Sequence, residues 1–376
     1  MLDIQIHPKI SAIPASQWNA LVKDNNPLLK HEFLYAMELH ECVGEKFGWE
    51  PCHIAIYDNA QLVAAMPLYF KYNNYGEFVF DHAWADAYSR SGMNYYPKLV
   101  SAVPYTPAHG QRMLLQPERQ AELQQVLLNT LKTFCDKSSS SFHILFADAD
   151  QQDFFEQQGL LSRNDCQYHW FNRNYNDFDD FMQTLISRKR KNIRRERQAV
   201  IDAGVSIRQL NGHSASQKDW QDFTGFYNRT FEEKWGMATF NQPFFEHIAS
   251  TLPDNILLVL ADNAKGECIA GSLMYVSDTT LYGRHWGCIE QVDQLHFEAC
   301  YYQGIEFCIK HHINKFEPGA QGEHKIARGF VPTLTRSAHY LTDQRWLPAI
   351  DDFCRQERSA VAEYIKQQQQ KIPYRQ

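Results

Sequence analysis

Three stretches of this 376-residue chain gather side chains that can move protons or hold charge. The first is Gly319-Ala320-Gln321-Gly322-Glu323-His324-Lys325-Ile326-Ala327-Arg328-Gly329-Phe330. Its glycines let a backbone approach a ligand closely, while an acid, an imidazole and two cations offer proton transfer and charge stabilisation. Glu323 and His324 are candidate bases, Lys325 a candidate oxyanion stabiliser and Arg328 a candidate substrate-binding cation. The second stretch is Tyr282-Gly283-Arg284-His285-Trp286-Gly287, at the end of an expected strand. His296, Glu298 and Tyr302 follow on the next expected helix. A strand end beside a helix N-terminus exposes backbone N–H groups, a natural anion or oxyanion site. The third runs Phe80-Asp81-His82-Ala83-Trp84-Ala85-Asp86-Ala87-Tyr88, with Tyr95-Tyr96-Pro97-Lys98 close behind. Two carboxylates, an imidazole and a cation in so short a span can bind an amine, a sugar or a peptide by charge-assisted hydrogen bonds. The same groups can instead form a buried network that braces a domain junction.

The charge distribution adds a fourth feature. The formal net charge is −7, yet residues 188–197 hold seven bases and one acid, or +6, leaving −13 for the rest. A positive stripe on an acidic body is a local device for phosphates, or else a solvated helix face. Arg190, Lys191, Arg194 and Arg195 are the candidate phosphate-binding residues.

Several chemistries are excluded by what the sequence lacks. It has no GxGxxG after a strand, no GxxxxGK[ST] loop, no GxSxG elbow and no HExxH helix. His296 and Cys300 lie four apart without further clustered ligands, so no metal is expected. Nine scattered cysteines without a CxxC pair fit free thiols in a reducing cytoplasm. Residues 1–5 lack the basic start of a secretory signal, and the longest apolar run, 256–261, is too short to span a bilayer. A cytoplasmic protein without a membrane span is expected. Composition, at 44% hydrophobic and 22% charged, is that of a globular chain with real cores, and its length suits about two domains.

These residues must be positioned by an alternating α/β pattern. Helical periodicity is expected around 31–47, 118–136 and 150–158 in the first half, and around 218–231, 243–251 and 295–312 in the second. One long helix is expected over 178–203, with Phe178, Phe181, Met182, Leu185 and Ile186 on one stripe. Strands are expected at 53–57, 62–71, 142–146, 256–261, 268–276, 280–286 and 315–317. The tail from Gln367 is Gln-rich and expected to fray.

The halves echo each other. Glu45-Lys46-Phe47-Gly48, Asp58-Asn59, Val63-Ala64-Ala65 and Trp84 recur as Glu233-Lys234-Trp235-Gly236, Asp262-Asn263, Ile269-Ala270-Gly271 and Trp286. The order and spacing argue a duplicated domain, with domains expected at 1–170 and 171–376 and the basic helix 178–203 in the second.

The runs GAQGEHKIARGF, LYGRHWG, LHFEACYYQGIEF and VFDHAWADAY resemble the bacterial FemAB-like family of N-acyltransferases linked to peptidoglycan biosynthesis or recognition, over about residues 30–355. That family is similar to the Fem-type peptidyltransferases. The resemblance implies two tandem GNAT-like domains, each a mixed sheet flanked by helices. It also implies acyl or aminoacyl transfer to an amine on a small molecule, a peptide or a cell-wall precursor. In Fem enzymes a Lys-Phe pair lies at the reacting centre; Lys325 takes the comparable place, followed here by Ile326. The basic helix is similar to one in the Fem second domain. No permanently bound cofactor is implied; the co-substrate is acyl-CoA or aminoacyl-tRNA, with tRNA then a partner. The acyl-CoA loop [RQ]xxGx[GA] is approached only at Arg284–Gly287 and Gln209–Gly212, and both fail at the sixth place, with Ile289 and Ser214. Many bases on one helix suit the larger polyanion. The alternative reading is a non-catalytic protein on the same duplicated fold that binds muropeptides or RNA.

Overall fold

The computed structural model describes residues 1–233, 236–320 and 322–375. It divides into two compact units, Met1–Cys166 with Leu334–Tyr364, and Gln167–Thr333 with Ile365–Gln376. The first unit holds β1 (Asp3–His7), β2 (Trp49–Pro51), β3 (His53–Asp58), β4 (Gln61–Met66), β5 (Tyr69–Lys71), β6 (Lys98–Ser101), β7 (Leu114–Leu115) and β8 (Ser141–Leu145). Strand β9 (Leu161–Phe171) carries the chain into the second unit, which holds β10 (Ser206–Leu210), β11 (Ile256–Asp262), β12 (Cys268–Val276), β13 (Thr280–Cys288) and β14 (Lys315–Glu317). Strand β15 (Val331–Leu341) carries it back.

In the first unit β1, β3, β4 and β7 form one antiparallel sheet. Strands β2, β5, β6 and β8 form a second, with β6 and β8 parallel. Parallel neighbours need a crossover, and the helix Gln120–Ser138 lies in that connection. It packs Leu123, Leu127, Leu128 and Leu131 into a core with Phe142 and Ile144. In the second unit β10 to β13 form an antiparallel meander. Strand β14 then lies parallel to β13, after a helical crossover from Leu295 to Lys310.

Each parallel pair is closed by a strand from the other half of the chain. Residues 337–341 of β15 pair with β8, and Trp170 and Phe171 of β9 pair with β14. This exchange moves the expected boundary: 334–364 packs with the first unit, because its strand completes that unit's sheet.

Of the paired landmarks read from the sequence, the two Asp-Asn steps fall in similar places. Asp58-Asn59 turns β3 into β4, and Asp262-Asn263 turns β11 into β12. Each ladder shifts register beside its turn, at Ile56/Tyr57 and at Ala261/Asp262. The tryptophan landmark does not match, since Trp84 lies in the helix His82–Arg90 and Trp286 in β13. Phe47 ends a short 3-10 turn and Glu233 ends the helix Gln217–Glu233, while Lys234 and Trp235 of that landmark lie outside the described residues.

Three other expectations need revision. The strand over 62–71 breaks at Pro67, which has no N–H for a ladder, and the Leu68 N–H donates to His53 Nδ1 at 3.1 Å. The helix over 178–203 is two, Phe178–Gln183 and Ser187–Asp202. Between them Leu185 bridges Tyr374 and the Ile186 N–H donates to Pro373 O at 2.8 Å, so strand-like pairing with the tail interrupts the helix. The tail is thereby anchored rather than frayed, with the Tyr374 hydroxyl donating to Gly329 O at 2.6 Å. Among the described residues no helix is long and apolar enough to cross a membrane.

Candidate active site

The loop singled out at 319–330 folds as a 3-10 turn, Glu323–Arg328, between two glycines with left-handed backbone, Gly322 (φ 106°) and Gly329 (φ 90°). A Cβ on Gly322 would stand 2.5 Å from the His324 ring, and one on Gly329 2.8 Å from Phe181, so both positions demand glycine for space as well as φ. The turn directs Lys325 inward, leaving it 2% exposed. Its Nζ donates to Gly319 O at 2.8 Å and Ala320 O at 3.2 Å. An ammonium carries three protons, so these bonds leave one for a developing oxyanion. Burial pushes the Lys325 ammonium down to about 8. Gln321 of the same loop lies outside the described residues.

His324 is exposed, and its Nε2 sits 3.0 Å from the Tyr301 hydroxyl. Partial burial, then Lys325 and Arg328, hold this imidazole below its ordinary value, which favours the neutral form a base requires. Glu323, the other candidate base, points to the tail, 3.3 Å from Lys371 Nζ. A row of rings joins the loop to β13: Trp286 meets His296 at 5.3 Å, and His296 meets Tyr301 at 5.4 Å. Trp286, His296 and His324 are thus brought together.

Arg284 and His285 are not part of that row. The β12–β13 ladder passes from Leu273↔His285 to Met274↔Gly283, so Arg284 occupies a bulge. Burial lowers its guanidinium to about 10, against the pull of Tyr275 and Tyr227. His285 packs among Tyr227 at 5.1 Å, Phe240 at 5.1 Å and Phe245 at 5.9 Å, which gives it a core position.

The basic helix Ser187–Asp202 is tied to the loop by residues the charge count concealed. Glu196 Oε1 accepts from Arg328 Nη2 at 2.9 Å, and its other oxygen accepts from the Tyr302 hydroxyl. Arg328 also lies 3.4 Å over the Phe297 ring and donates to His324 O at 2.9 Å. Arg197 donates to both oxygens of Glu298, at 3.1 and 3.0 Å, and to Glu306 at 2.6 Å. Arg328 of the loop, and Glu298 and Tyr302 at the two ends of a π-helical turn in the crossover helix, are therefore held by protein partners. On the other face of the basic helix Lys191, Arg194 and Arg195 are exposed, while Arg190 is half-buried and donates to Leu185 O at 2.7 Å.

The first unit places the remaining candidates differently. Lys98 is fully buried between Glu77, at 2.8 Å, and Asp81. Tyr96 lies beside it, with Lys98 Nζ 5.8 Å from the ring. Trp84 is buried against His339 at 5.3 Å. His82 and Asp86 point outward, His82 to Asn74 at 2.6 Å and Asp86 to Arg90 at 2.8 Å. The set read as one binding cluster is thus a buried network plus two surface residues, because a helical turn separates Asp81 and Trp84 from the outer face.

Sequence reasoning did not single out Tyr301, Phe297, Glu196 or Arg197 as site residues. A lone acid inside seven bases was the available signal for Glu196.

The fold is α/β, two units whose sheets are flanked by helices. The chain belongs to the FemAB-like family, described as peptidoglycan biosynthesis/recognition, whose profile matches residues 9–376. No curated protein matches it in sequence. The crystal structure of FemX is similar over 90% of this chain and 98% of its own, with a TM-score of 0.55 and 12% identity. A conserved protein of unknown function from Bacteroides thetaiotaomicron covers 90% of this chain and 99% of its own, with a TM-score of 0.52 and 11% identity. The L-PGS structure from Bacillus licheniformis covers 87% and 90%, at 0.50 and 9%. At such identities the likeness is one of fold.

Proposed function

We propose that the chain is an N-acyltransferase that moves an acyl or aminoacyl group from an activated donor to an amine, at the loop of Lys325. The observation that carries this reading is the buried Lys325 ammonium, fixed by two carbonyls with one proton left to donate, beside the His324–Tyr301 pair. The acceptor amine attacks the donor's acyl carbon while Lys325 stabilises the oxyanion; His324 takes the amine proton, and collapse of the oxyanion breaks the bond to the donor's ribose oxygen, which leaves with that proton as a free hydroxyl. Arg328 and Glu196 keep the loop in place. The donor is aminoacyl-tRNA rather than acyl-CoA, because the outward face of the basic helix presents several bases to a phosphate backbone. Peptidoglycan precursors are the acceptor class the family description favours.

The test supplies purified protein with labelled aminoacyl-tRNA, or with acyl-CoA, and a pool of muropeptide amines. An amide product from aminoacyl-tRNA is expected. Product from acyl-CoA alone would reassign the donor, and product from neither would contradict the reading.

A further inference from the structure

The first unit contains a hydrogen-bonded chain that the transfer reaction does not use. On β8, Ser141 and His143 share one face; on β15, Ser337 and His339 do the same, and His143 lies directly opposite His339 in the ladder. Ser337 Oγ is 2.8 Å from His339 Nε2. His339 Nδ1 is 2.6 Å from His143 Nδ1. His143 Nε2 is 3.2 Å from the Tyr95 hydroxyl and 2.9 Å from Ser141 Oγ. Tyr95 donates to Asp81 Oδ2 at 2.5 Å, and Lys98 donates to the same oxygen.

The charged end orients the Tyr95 hydroxyl at the head of this chain. Burial alone would raise the Asp81 carboxyl, but Lys98 and Tyr95 outweigh it and keep the group below its ordinary value. A carboxylate only accepts, so the Tyr95 proton points to Asp81 and its oxygen faces His143 as an acceptor. In the tautomer that donates to the Tyr95 and Ser141 oxygens, His143 Nε2 carries hydrogen and its Nδ1 is a lone pair. His339 Nδ1 must then donate, which leaves the His339 Nε2 lone pair aimed at the Ser337 hydroxyl.

Ser337 also lines a cavity of about 190 Å³ with mixed walls, Phe78, Phe146 and Val361 beside Arg163, Arg336 and Glu357. Asn164 Oδ1 is buried there without a hydrogen-bond partner among the described residues. Drug-sized ligand sites run to roughly 300–1,000 Å³, so this space suits a short acyl group rather than a nucleotide.

We propose that this cavity is a second reactive site, in which Ser337 is a nucleophile toward small activated carboxylic esters and His339 is its base. Ser337 Oγ forms a bond to the acyl carbon while the ester C–O bond breaks. The Oγ proton passes to His339 Nε2 and then to the departing oxygen, leaving an acyl-serine and an alcohol. A buried imidazole resists positive charge, and His339 and His143 are both held well below their ordinary values by burial; Lys98 and Arg163 add to this at both rings and His143 adds to it at His339, where Asp81 pulls the other way. Passing the His339 Nδ1 proton to His143 moves that charge one residue toward the Asp81 carboxylate, which is what the chain behind the base supplies.

The experiment treats the full-length protein with 4-nitrophenyl acetate, follows nitrophenolate release, quenches in acid and maps acetylated peptides. The expected result is a burst near one equivalent, with acetyl on Ser337. Ser337→Ala should abolish both, and His339→Gln should slow the burst roughly 10²–10⁴-fold. Ser337→Cys, which keeps a nucleophile of similar size, should restore labelling at 337 if the alanine variant unfolds. Lys325→Ala, in the other unit, should keep the Ser337 label, so failure of the transfer reading is distinguishable from failure of this one. Folded wild-type protein that shows no burst, that is acetylated elsewhere, or whose burst survives Ser337→Ala overturns the proposal.

Discussion

Lys325 is the residue whose proposed role a pH experiment tests most sharply. Burial lowers its ammonium to about 8, from an ordinary value of 10.5. As the oxyanion donor it must be charged, so transfer should fall as pH rises through about 8, and Lys325→Arg should move that limb upward because a guanidinium keeps its proton. The stability effect has the opposite sign. Between about 8 and the ordinary lysine value the unfolded chain binds more protons than the folded one, so wild-type stability should rise with pH there. Rate profiles and thermal melts over that range check both, and a rate independent of pH would remove Lys325 from the chemistry. At this scale the sequence was informative where a loop concentrated unlike charges between glycines. It was silent on Glu196 and Tyr301, whose roles depend on which face of a helix meets the loop, and misleading on His285, whose polar type hid a core position.

The basic helix shows how one element can divide its labour. Ile193 and Val200 bury it, Glu196 and Arg197 hold the loop and the crossover helix, and Lys191, Arg194 and Arg195 remain outside. Reversing the three outer charges to glutamate should therefore leave the fold intact while weakening tRNA binding and flattening its salt dependence, by up to about 0.9 in slope for each phosphate no longer neutralised. Filter binding across a salt series reads this directly; an unchanged slope would leave only a solvated face. The periodicity of 178–203 was legible, but its break was not, because the partner that interrupts it is the tail near Pro373 and Tyr374, almost two hundred residues away in sequence. Local pattern carries no signal for such pairing.

For the whole molecule, the alternating pattern made an α/β architecture readable from the sequence, with an Asp-Asn hairpin in each half. What they could not reveal was the strand exchange, since β9 and β15 look like ordinary strands until their partners are known. It predicts that residues 1–166 alone will not fold: β8 would lose its partner β15, and His143 would lose His339. Restoring 334–364 should recover a cooperative melt, whereas a stable, monomeric 1–166 fragment would contradict the division described. In the other unit, single-turnover transfer by Lys325→Ala is the most direct test of the Lys325 loop as the reacting centre. Losing one preorganised oxyanion donor typically costs about 10²–10³ in rate. The variant should therefore form amide from aminoacyl-tRNA some hundred-fold or more slowly than wild type while binding the tRNA equally and melting at the same or a higher temperature. A Lys325→Ala protein that transfers at the wild-type rate would contradict the claim outright.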